Sequence, residues 1–159
     1  MSFTIRKGEA KDVTAVFELI TELAVFEKEP KAVEITAEDL LKDGFSENPK
    51  FQLFVAEQDA KIIGIALFYE RYSTWKGKTI HLEDLIVTKS KQKIGAGKAL
   101  YTAVLKYAHD NNFNRVDWEV IDWNTNAIDF YTSTGATYMN DWSVVKMSKE
   151  NLAKFIQNN

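Results

Sequence analysis

The sequence predicts a mixed α/β fold, built as one domain of 159 residues around a sheet that contains both antiparallel and parallel strands. Three observations predict it. Runs of β-prone residues alternate with segments of helical apolar spacing, two of those runs are joined by a short turn, and a later passage reads strand, helix, strand. A short-turn hairpin is antiparallel and a helical crossover is parallel, so the sheet must be mixed.

The first half of the chain predicts three strands and two helices. Apolar residues between Val13 and Ala24 recur at helical spacing, and Thr36 with Asp39 forms a weak capping box before a second helix. Gln58-Asp59-Ala60 separates two β-rich runs, which is typical of a hairpin. The predicted elements of this half are strand 3–6, helix 12–26, a short helix after Thr36 that Gly44 ends, and strands 51–57 and 61–69.

The second half predicts one parallel crossover and a C-terminal strand pair. An apolar stripe from Leu100 to Ala108 indicates an amphipathic helix between two β-rich runs, and we expect the crossover to be right-handed. Ser148 is a suitable N-cap for a last helix. The predicted elements of this half are strand 79–88, the polar loop 89–95 with a helix after it, strand 116–121, helix 124–134, a strand pair over 136–147, and the final helix.

Composition and charge exclude several classes of protein. The chain is 45% apolar with 10 Phe, 6 Tyr and 4 Trp, which is ample for a packed core and unlike a disordered chain. A net charge of −3 gives no general attraction to nucleic acid or anionic lipid, and the absence of cysteine excludes disulfides and thiolate metal sites. No apolar run is long enough for a membrane span, and the first residues do not form the apolar stretch of a signal peptide. We therefore expect a soluble, cytoplasmic protein without membrane or nucleic-acid partners.

A glycine-containing turn precedes the helix that follows residue 95. Glycines in the segment 92–98 let backbone N–H groups approach a ligand, and a helix N-terminus favours phosphate. The segment is neither a Walker loop, because of Gln92 and Ala99, nor a dinucleotide fingerprint, because of Leu100. An ordinary strand-to-helix turn explains the glycines equally well from spacing alone.

Glu83 and Asp84 are adjacent acids inside an otherwise apolar strand. Burying both costs free energy unless ion pairs or hydrogen bonds compensate. Strand alternation places them on opposite faces of the sheet unless a bulge intervenes. One of them is a candidate for a functional cleft; the alternative is an internal salt bridge, with Lys78 or Arg71 as partner.

The two histidines of the chain are His81 and His109, far apart in sequence and at no spacing typical of metal ligands. We interpret both as structural or solvent-facing residues. The sequence therefore predicts no metal site.

Several segments together resemble one enzyme family. Gln92-x-x-Gly95-x-Gly97 resembles the acetyl-coenzyme A (acetyl-CoA) loop of the GCN5-related N-acetyltransferases (GNAT). Within that family the chain is similar to the diamine (spermidine/spermine) acetyltransferases and in particular to their sister branch, the thialysine Nε-acetyltransferases. The other segments that carry the likeness, in order along nearly the whole chain, are Glu22–Ala24, Asp39–Phe45, Tyr72–Lys78, Leu82–Asp84 and Asp122–Ala136.

The resemblance implies one N-acetyltransferase domain over residues 1–159, with the GNAT fold: a twisted, mostly antiparallel sheet and one parallel strand–helix–strand unit for acetyl-CoA. It implies direct acetyl transfer from acetyl-CoA, a cosubstrate, to the primary amine of a small cationic acceptor, such as a thialysine- or lysine-like amino acid or a short diamine. It also implies a homodimer. Two alternatives stay open: a non-catalytic acyl-CoA-binding sensor on the same fold, and a protein N-acetyltransferase.

The resemblance also assigns roles to residues. An amine must lose a proton before it attacks and a leaving thiolate should gain one, and the likeness implies Glu83 as acceptor and Tyr131 as donor. For Tyr131 the alternative is a core aromatic packed with Phe130. The implied cofactor-binding residues are Leu85, Ile86, Val87, Gln92, Lys93, Ile94, Gly95, Ala96, Gly97, Lys98, Asn124, Asn126, Ala127 and Tyr131. The implied substrate-binding residues are Phe26, Glu27, Trp75, Glu83, Asp84, Glu119 and Trp142.

Two positions depart from the pattern of the related enzymes. Gln92 stands where the family often has arginine, which keeps a donor and drops a charge. Ser73 stands where the polyamine enzymes carry aspartate. The loss of that negative charge favours an acceptor that itself bears a carboxylate over a long polycation.

Overall fold

The computed structural model describes residues 2–158, in two compact units that divide after Glu119. The strands, all in the first unit, are β1 Thr4–Lys7, β2 Gln52–Gln58, β3 Lys61–Ser73, β4 Gly77–Val87 and β5 Val116–Asp117. The helices of this unit are α1 Val13–Phe26, α2 Ala37–Gly44 and α3 Ala96–Asp110, with 3₁₀ turns at Ala10–Asp12 and Lys89–Lys91. The second unit contains α4 Thr125–Ser133 and α5 Lys149–Gln157.

The five described strands form one sheet in the order β1-β2-β3-β4-β5. The first four strands pair antiparallel with their neighbours. β5 runs parallel to β4, through the pairs Ile80–Val116 and His81–Asp117, and α3 connects the two strands. The predicted mixed sheet with one parallel strand–helix–strand unit is therefore confirmed.

Strand alternation divides the core between the two faces of the sheet. On one face Leu53 and Val55 of β2 belong to a buried cluster with Val16 of α1. On the other face the Phe54 ring lies 6.3 Å from the ring of Tyr107 in α3. Since Phe54 lies between Leu53 and Val55 in the same strand, its side chain points the opposite way. Helices α1 and α3 consequently cover opposite faces.

Local capping and turn signals act as the sequence predicts. Thr36 Oγ1 accepts from the Asp39 N–H at 3.2 Å, and Asp39 Oδ2 accepts from the Thr36 N–H at 2.8 Å, which completes the capping box of α2. Ser148 Oγ accepts from the Asn151 N–H at 3.1 Å at the start of α5. The β2–β3 turn is a residue shorter than predicted, since Gln58 already pairs with Lys61.

Two predicted C-terminal elements are wrong in length or in kind. The strand expected over 116–121 is reduced to the two residues of β5, and the strand pair expected over 136–147 is not formed in the described chain. The described residues after Glu119 contain no strand, and an isolated two-stranded hairpin is marginal in water. Apolar side chains of 136–147 are exposed instead, Val145 to 93%.

The strands β3 and β4 are longer than predicted. Their ladder continues through the polar residues up to the pair of Ser73 with Gly77. Backbone pairing in a hairpin does not need apolar side chains, so the apolar pattern underestimates the length of both strands.

Candidate functional site

A β-bulge at Glu83 interrupts the pairing of β3 with β4. Leu67 pairs with Asp84 and Phe68 with Leu82, so Glu83 is one extra residue in β4. A bulge breaks the strict alternation of side chains and re-aims the bulged residue. The Glu83 side chain is 50% exposed, whereas Asp84 is half-buried. The bulge that the sequence left open is therefore present at the two adjacent acids.

Two side chains of the sheet lie against the Glu83 carboxylate. The Tyr69 hydroxyl donates to Glu83 Oε2 at 2.9 Å, and His81 Nε2 lies 3.5 Å from the same oxygen. Burial of the phenol, followed by its hydrogen bond to Glu83, raises the pKa of Tyr69 to about 12. Tyr69 therefore stays protonated at neutral pH and remains a donor to Glu83.

Asp84 is a carboxyl group with an unfavourable environment for its charge. Burial first, and then the negative charges of Glu83 and Glu27, raise the pKa of Asp84 to about 6. Glu27, whose charge acts on Asp84, is the C-cap residue of α1. A cation bound among these acids would favour the ionised form of Asp84.

The alternative for Glu83 and Asp84 was an internal salt bridge to Lys78 or Arg71. Both of these basic residues pair with other acids. Lys78 Nζ lies 3.7 Å from Glu70 Oε1, on the neighbouring strand. Arg71 Nη1 lies 3.2 Å from Asp117 Oδ1. The two acids of the bulge are thus not neutralised by Lys78 or Arg71.

One edge of β4 is open beside the bulge. β4 pairs with β3 from Gly77 to Val87, but with β5 at Ile80 and His81 alone. In the described chain no strand lies against the second edge of Leu85, Ile86 and Val87. On this edge the alternate backbone N–H and C=O groups of these residues pair with no described strand, and the Val87 carbonyl accepts from the Gln92 side chain.

The loop after β4 is tied to the rest of its unit by side chains. Glu22 Oε1 of α1 accepts from the Lys89 N–H at 2.9 Å and from Thr88 Oγ1 at 3.2 Å. Gln92 Nε2 donates to the Val87 carbonyl at 3.4 Å. These contacts hold the loop against the C-terminal end of β4, next to the open edge.

The turn into α3 has the geometry of an anion-binding helix start. Gly95 is the N-cap residue with φ +90°, a left-handed conformation that favours glycine. The Ala99 N–H donates to the Gly95 carbonyl at 3.0 Å, so the N–H groups of 96–98 precede the first bond of the helix and point out of its end. Ile94 and Lys98 are exposed around this end.

Gly97 is a glycine that packing does not require. A Cβ at this position would lie 3.7 Å from Val87 Cγ2, which is ordinary van der Waals contact. Glycine inside a helix costs roughly 0.5–1 kcal/mol relative to alanine. Close approach of a ligand to the Gly97 backbone explains the glycine better than the fold does.

The second unit contains the other predicted cofactor-binding residues. Asn124 is the N-cap of α4, and its Oδ1 accepts from the Ala127 N–H at 3.3 Å, so at least that oxygen has a structural role. Tyr131 follows Ala127 by four residues and lies on the same face of the helix. The Tyr131 ring is half-buried, 5.5 Å from the ring of Phe130, and Asn126 is exposed.

The predicted acceptor-binding residues are dispersed along the chain. Trp75 is 79% exposed at the tip of the β3–β4 hairpin. Glu83 lies six positions after Gly77, which at about 3.3 Å per residue places the tip about 20 Å along the strand from the bulge. The structure does not bring Trp75 to Glu83 within one chain. Phe26 and Trp142 are 52% and 67% exposed, and Glu119 is exposed as well.

Sequence reasoning missed the residues that surround Glu83. His81 and His109 were both predicted to be structural or solvent-facing; His81 is 7% exposed and bonded to Asp117, and the side chain of His109 is 89% exposed. Strand alternation could have placed His81 on the Glu83 face, since the two residues are two apart. Tyr69 and Asp117 needed the pairing of β3, β4 and β5.

Among residues 2–158 no group of three or more His, Asp or Glu side chains is arranged to hold a metal ion. In the same range no helix combines the length and the apolar character that crossing a bilayer requires.

A sequence model of the acetyltransferase (GNAT) family matches residues 13–136. The thialysine N-epsilon-acetyltransferase of Sus scrofa is 36% identical over 143 residues, which cover 85% of this chain and 84% of that protein. The chain therefore belongs to the GNAT family, and the prediction of an N-acetyltransferase is confirmed. Another relative, the Homo sapiens spermidine/spermine N(1)-acetyltransferase-like protein 1, is 35% identical over 94% of this chain. The chain spans 23% of the length of that relative.

Solved structures agree on the fold. An integron cassette protein from V. cholerae superposes with a TM-score of 0.80 at 23% identity, over 99% of both chains. An aminoglycoside acetyltransferase from an uncultured soil metagenomic sample, in complex with trehalose, gives a TM-score of 0.73 at 24% identity, over 92% of this chain and 94% of that one. The predicted GNAT fold is therefore confirmed.

Proposed function

We propose that this chain, as one domain over residues 1–159, transfers an acetyl group from acetyl-CoA directly to the primary amine of a small cationic acceptor. The bulge in β4 carries the proposal, because it presents Glu83 and Asp84 beside an open strand edge. The relationship to thialysine acetyltransferases supports a thialysine- or lysine-like amino acid or a short diamine as acceptor.

The residues that would hold acetyl-CoA lie at the end of β4 and the start of α3. The N–H groups of 93–98, with the side chains of Lys93 and Lys98, suit the phosphates, and the space beside Gly97 lets them approach. The open edge at 85–87 suits the extended pantetheine arm, and an N–H there suits the thioester oxygen. When bound, acetyl-CoA supplies the carbonyl carbon that the amine attacks.

Glu83 is the proposed proton acceptor. A primary amine with a pKa near 10.4 is almost wholly protonated at neutral pH, so it must release a proton first. The half-exposed Glu83 carboxylate can take that proton through a water molecule, while Tyr69 keeps it oriented.

Tyr131 is the proposed proton donor to the thiolate. An ordinary phenol, with a pKa near 10, is protonated at neutral pH and can donate. Its position on the face of α4 that begins with Asn124 and Ala127 supports a shared role of these residues, with Asn126, in contact with the cosubstrate. The alternative, an aromatic that only packs against Phe130, remains for experiment to decide.

Carboxylates near the bulge are proposed to select the acceptor. Asp84 and Glu27 supply negative charge for a second ammonium group, and a cation there would relieve the cost of ionising Asp84. The aromatic side chains Phe26 and Trp142 provide faces for cation–π contact, and Glu119 adds charge.

The tip of the β3–β4 hairpin is proposed to contribute to acceptor binding in a homodimer. Since Trp75 and Ser73 lie about 20 Å along the strand from Glu83, they reach an acceptor only at the site of a second copy. The exposed apolar side chains of 136–156 supply surface for such a partner, among them Met139, Trp142, Val144, Val145, Leu152 and Ile156. A monomer at micromolar concentration in gel filtration with light scattering would contradict the dimer.

A panel of amines tests the reaction. Thialysine, lysine, short diamines, polyamines and an aminoglycoside are each incubated with acetyl-CoA, and free thiol is measured. Amine-dependent thiol release should fall by about 10²–10⁴-fold in Glu83→Gln and in Tyr131→Phe, with CoA affinity retained in calorimetry. Tight CoA binding without turnover of any amine would favour the sensor, and turnover of peptides alone the protein acetyltransferase.

Ser73→Asp tests the specificity argument. Ser73 Oγ accepts from the N–H groups of Trp75 and Lys76 at 3.2 and 3.1 Å, and an aspartate can make the same bonds. The hairpin should therefore keep its shape while it gains a charge. We expect kcat/KM to shift towards polyamines; an unchanged ranking of amines would remove position 73 from acceptor recognition.

A further inference from the structure

The imidazole of His81 lies between two carboxylates. His81 Nδ1 is 2.6 Å from Asp117 Oδ1, and His81 Nε2 is 3.5 Å from Glu83 Oε2. The ring is nearly enclosed, at 7% exposure, and one face of it lies near Tyr69, with ring centroids 5.4 Å apart. No role in the acetyl transfer described above uses this arrangement.

The contacts of Asp117 determine which nitrogen carries the proton. Arg71 Nη1 donates to Asp117 Oδ1 at 3.2 Å and Arg115 Nε to Asp117 Oδ2 at 3.1 Å, so the carboxylate is ionised and accepts. Two acceptors 2.6 Å apart would repel, and His81 Nδ1 must therefore donate to Asp117. Arg71 Nη1 also lies 3.2 Å from Nδ1, but a guanidinium cannot accept that proton.

The neutral ring then presents the lone pair of Nε2 towards Glu83. Nε2 and Glu83 Oε2 are then both acceptors, and they lie 3.5 Å apart. A proton bound between these two atoms would convert a repulsive contact into a hydrogen bond. Apo structures often show catalytic hydrogen bonds in this longer form. In serine hydrolases a buried aspartate fixes an imidazole in the same way and stabilises its protonated form.

We propose that His81 is a positioning residue that acts through Glu83. Glu83 takes the proton from the amine, His81 receives that proton from Glu83, and Asp117 holds the imidazole ring. This inference rests on the proposed function for the origin of the proton. The ammonium N–H bond breaks and the proton binds a Glu83 oxygen. It then passes to the Nε2 lone pair, and the imidazolium, held between Glu83 and Asp117, releases it to solvent after transfer.

Several charged or titratable groups face His81 and enter its titration. They are Tyr69 and Arg71 from β3, Glu83 from β4 and Asp117 from β5; Arg115 bonds Asp117, and the charge of Glu119 acts on Tyr69. The Tyr69 hydroxyl already donates to Glu83 Oε2, and His81 Nε2 lies 3.5 Å from the same oxygen. Removal of one negative neighbour must therefore change how readily the ring binds a proton.

Ring NMR of the unliganded protein tests the arrangement without reference to activity. With two histidines in the chain, His109→Gln assigns the two-bond ¹H–¹⁵N spectrum and leaves His81 alone. We expect neutral His81 to carry its proton on Nδ1. In Asp117→Asn the proton should move to Nε2, because Arg115 Nε holds the amide oxygen at the Oδ2 position and the NH₂ group then lies at the Oδ1 position, next to Nδ1. A proton on Nε2 in the unmodified protein would overturn the proposal.

The coupling to Glu83 has its own measurement. In Glu83→Gln the ¹⁵N chemical shift of His81 Nε2 should change more than that of Nδ1, because Nε2 then faces an amide instead of a carboxylate. An unchanged Nε2 shift would also overturn the proposal. Both spectra can be recorded even if no amine is turned over, so failure of the proposed function is distinguishable from failure of this inference.

The pH profile of kcat/KM separates proton handling from a purely structural role. We expect His81→Gln to lose about 10- to 100-fold near pH 7, with the loss narrowing above pH 9 as more amine is already deprotonated. His109→Gln should match the unmodified enzyme at every pH. A uniform loss over the whole range in His81→Gln, with native stability, would contradict the relay and indicate packing alone.

Discussion

Asp84→Asn should stabilise the protein at neutral pH. Burial, with the charges of Glu83 and Glu27, raises the pKa of Asp84 from 3.8 to about 6. In the unfolded chain this carboxyl titrates near its ordinary value, so the native state binds the proton more tightly. Stability therefore falls as pH rises from about 4 to about 6, and the full cost is present above that range.

The size of the effect follows from the same two values. At about 1.4 kcal/mol for each pH unit, ionised Asp84 costs the native state about 3 kcal/mol. An amide has nearly the same shape and no charge, so Asp84→Asn removes most of that cost. For a domain of this size, 1 kcal/mol corresponds to a change of roughly 2–4 °C in Tm, which makes the expected gain easy to measure.

Urea unfolding at two pH values is the assay. The unfolding free energy of Asp84→Asn should exceed that of the unmodified protein by about 2–3 kcal/mol at pH 7.5, and the difference should nearly vanish at pH 4. Asp141→Asn, at an exposed position, is the matched control and should change little at either pH. An equal gain at both pH values, or a loss at pH 7.5, would refute the charge-burial argument.

Three further predictions concern the frame around the site. Asp12→Asn, which breaks the bonds of a buried carboxylate to Arg6 at 2.7 and 2.9 Å, should cost about 2–3 kcal/mol at pH 7. Arg6 lowers the pKa of Asp12, so this loss should shrink below pH 4 in urea unfolding, and a pH-independent loss would contradict it. Glu22→Ala should weaken CoA binding in calorimetry by freeing the loop at Lys89, whereas Glu22→Gln, which keeps an acceptor, should not; equal affinities would exclude this role. Gly97→Ala should raise stability by up to about 1 kcal/mol and lower CoA affinity, and unchanged affinity would contradict the phosphate site.

Local signals made much of the fold predictable. The capping box of Thr36 and Asp39 and the cap at Ser148 involve residues three apart, so their chemistry is complete within the sequence. The strand pair expected over 136–147 fails for the opposite reason. A strand exists only where a partner pairs with it, and the described part of the second unit offers none.

The sequence predicts the two acids of the candidate site but not how their side chains are placed. Two acids inside an apolar strand are conspicuous in any sequence, and that made Glu83 and Asp84 candidates. Their different environments depend on a bulge, and neither apolar pattern nor propensity specifies which residue of β4 is the extra one. The partner of His81 was not predictable, because Asp117 is 36 residues away and meets it only through the parallel pairing of β4 with β5.

The extra residue at position 83 accounts for several features of the site together. In a regular strand, Glu83 and Asp84 would point to opposite faces, and β5 could continue along β4 beyond His81. A bulge increases local twist, which a partner on the other edge does not easily follow. Pairing with β5 ends at His81, two residues before the bulge, and the open edge at 85–87 begins just after it. One irregularity therefore turns a carboxylate towards solvent beside a strand edge that β5 does not cover, and the acetyl transfer proposed above uses both features.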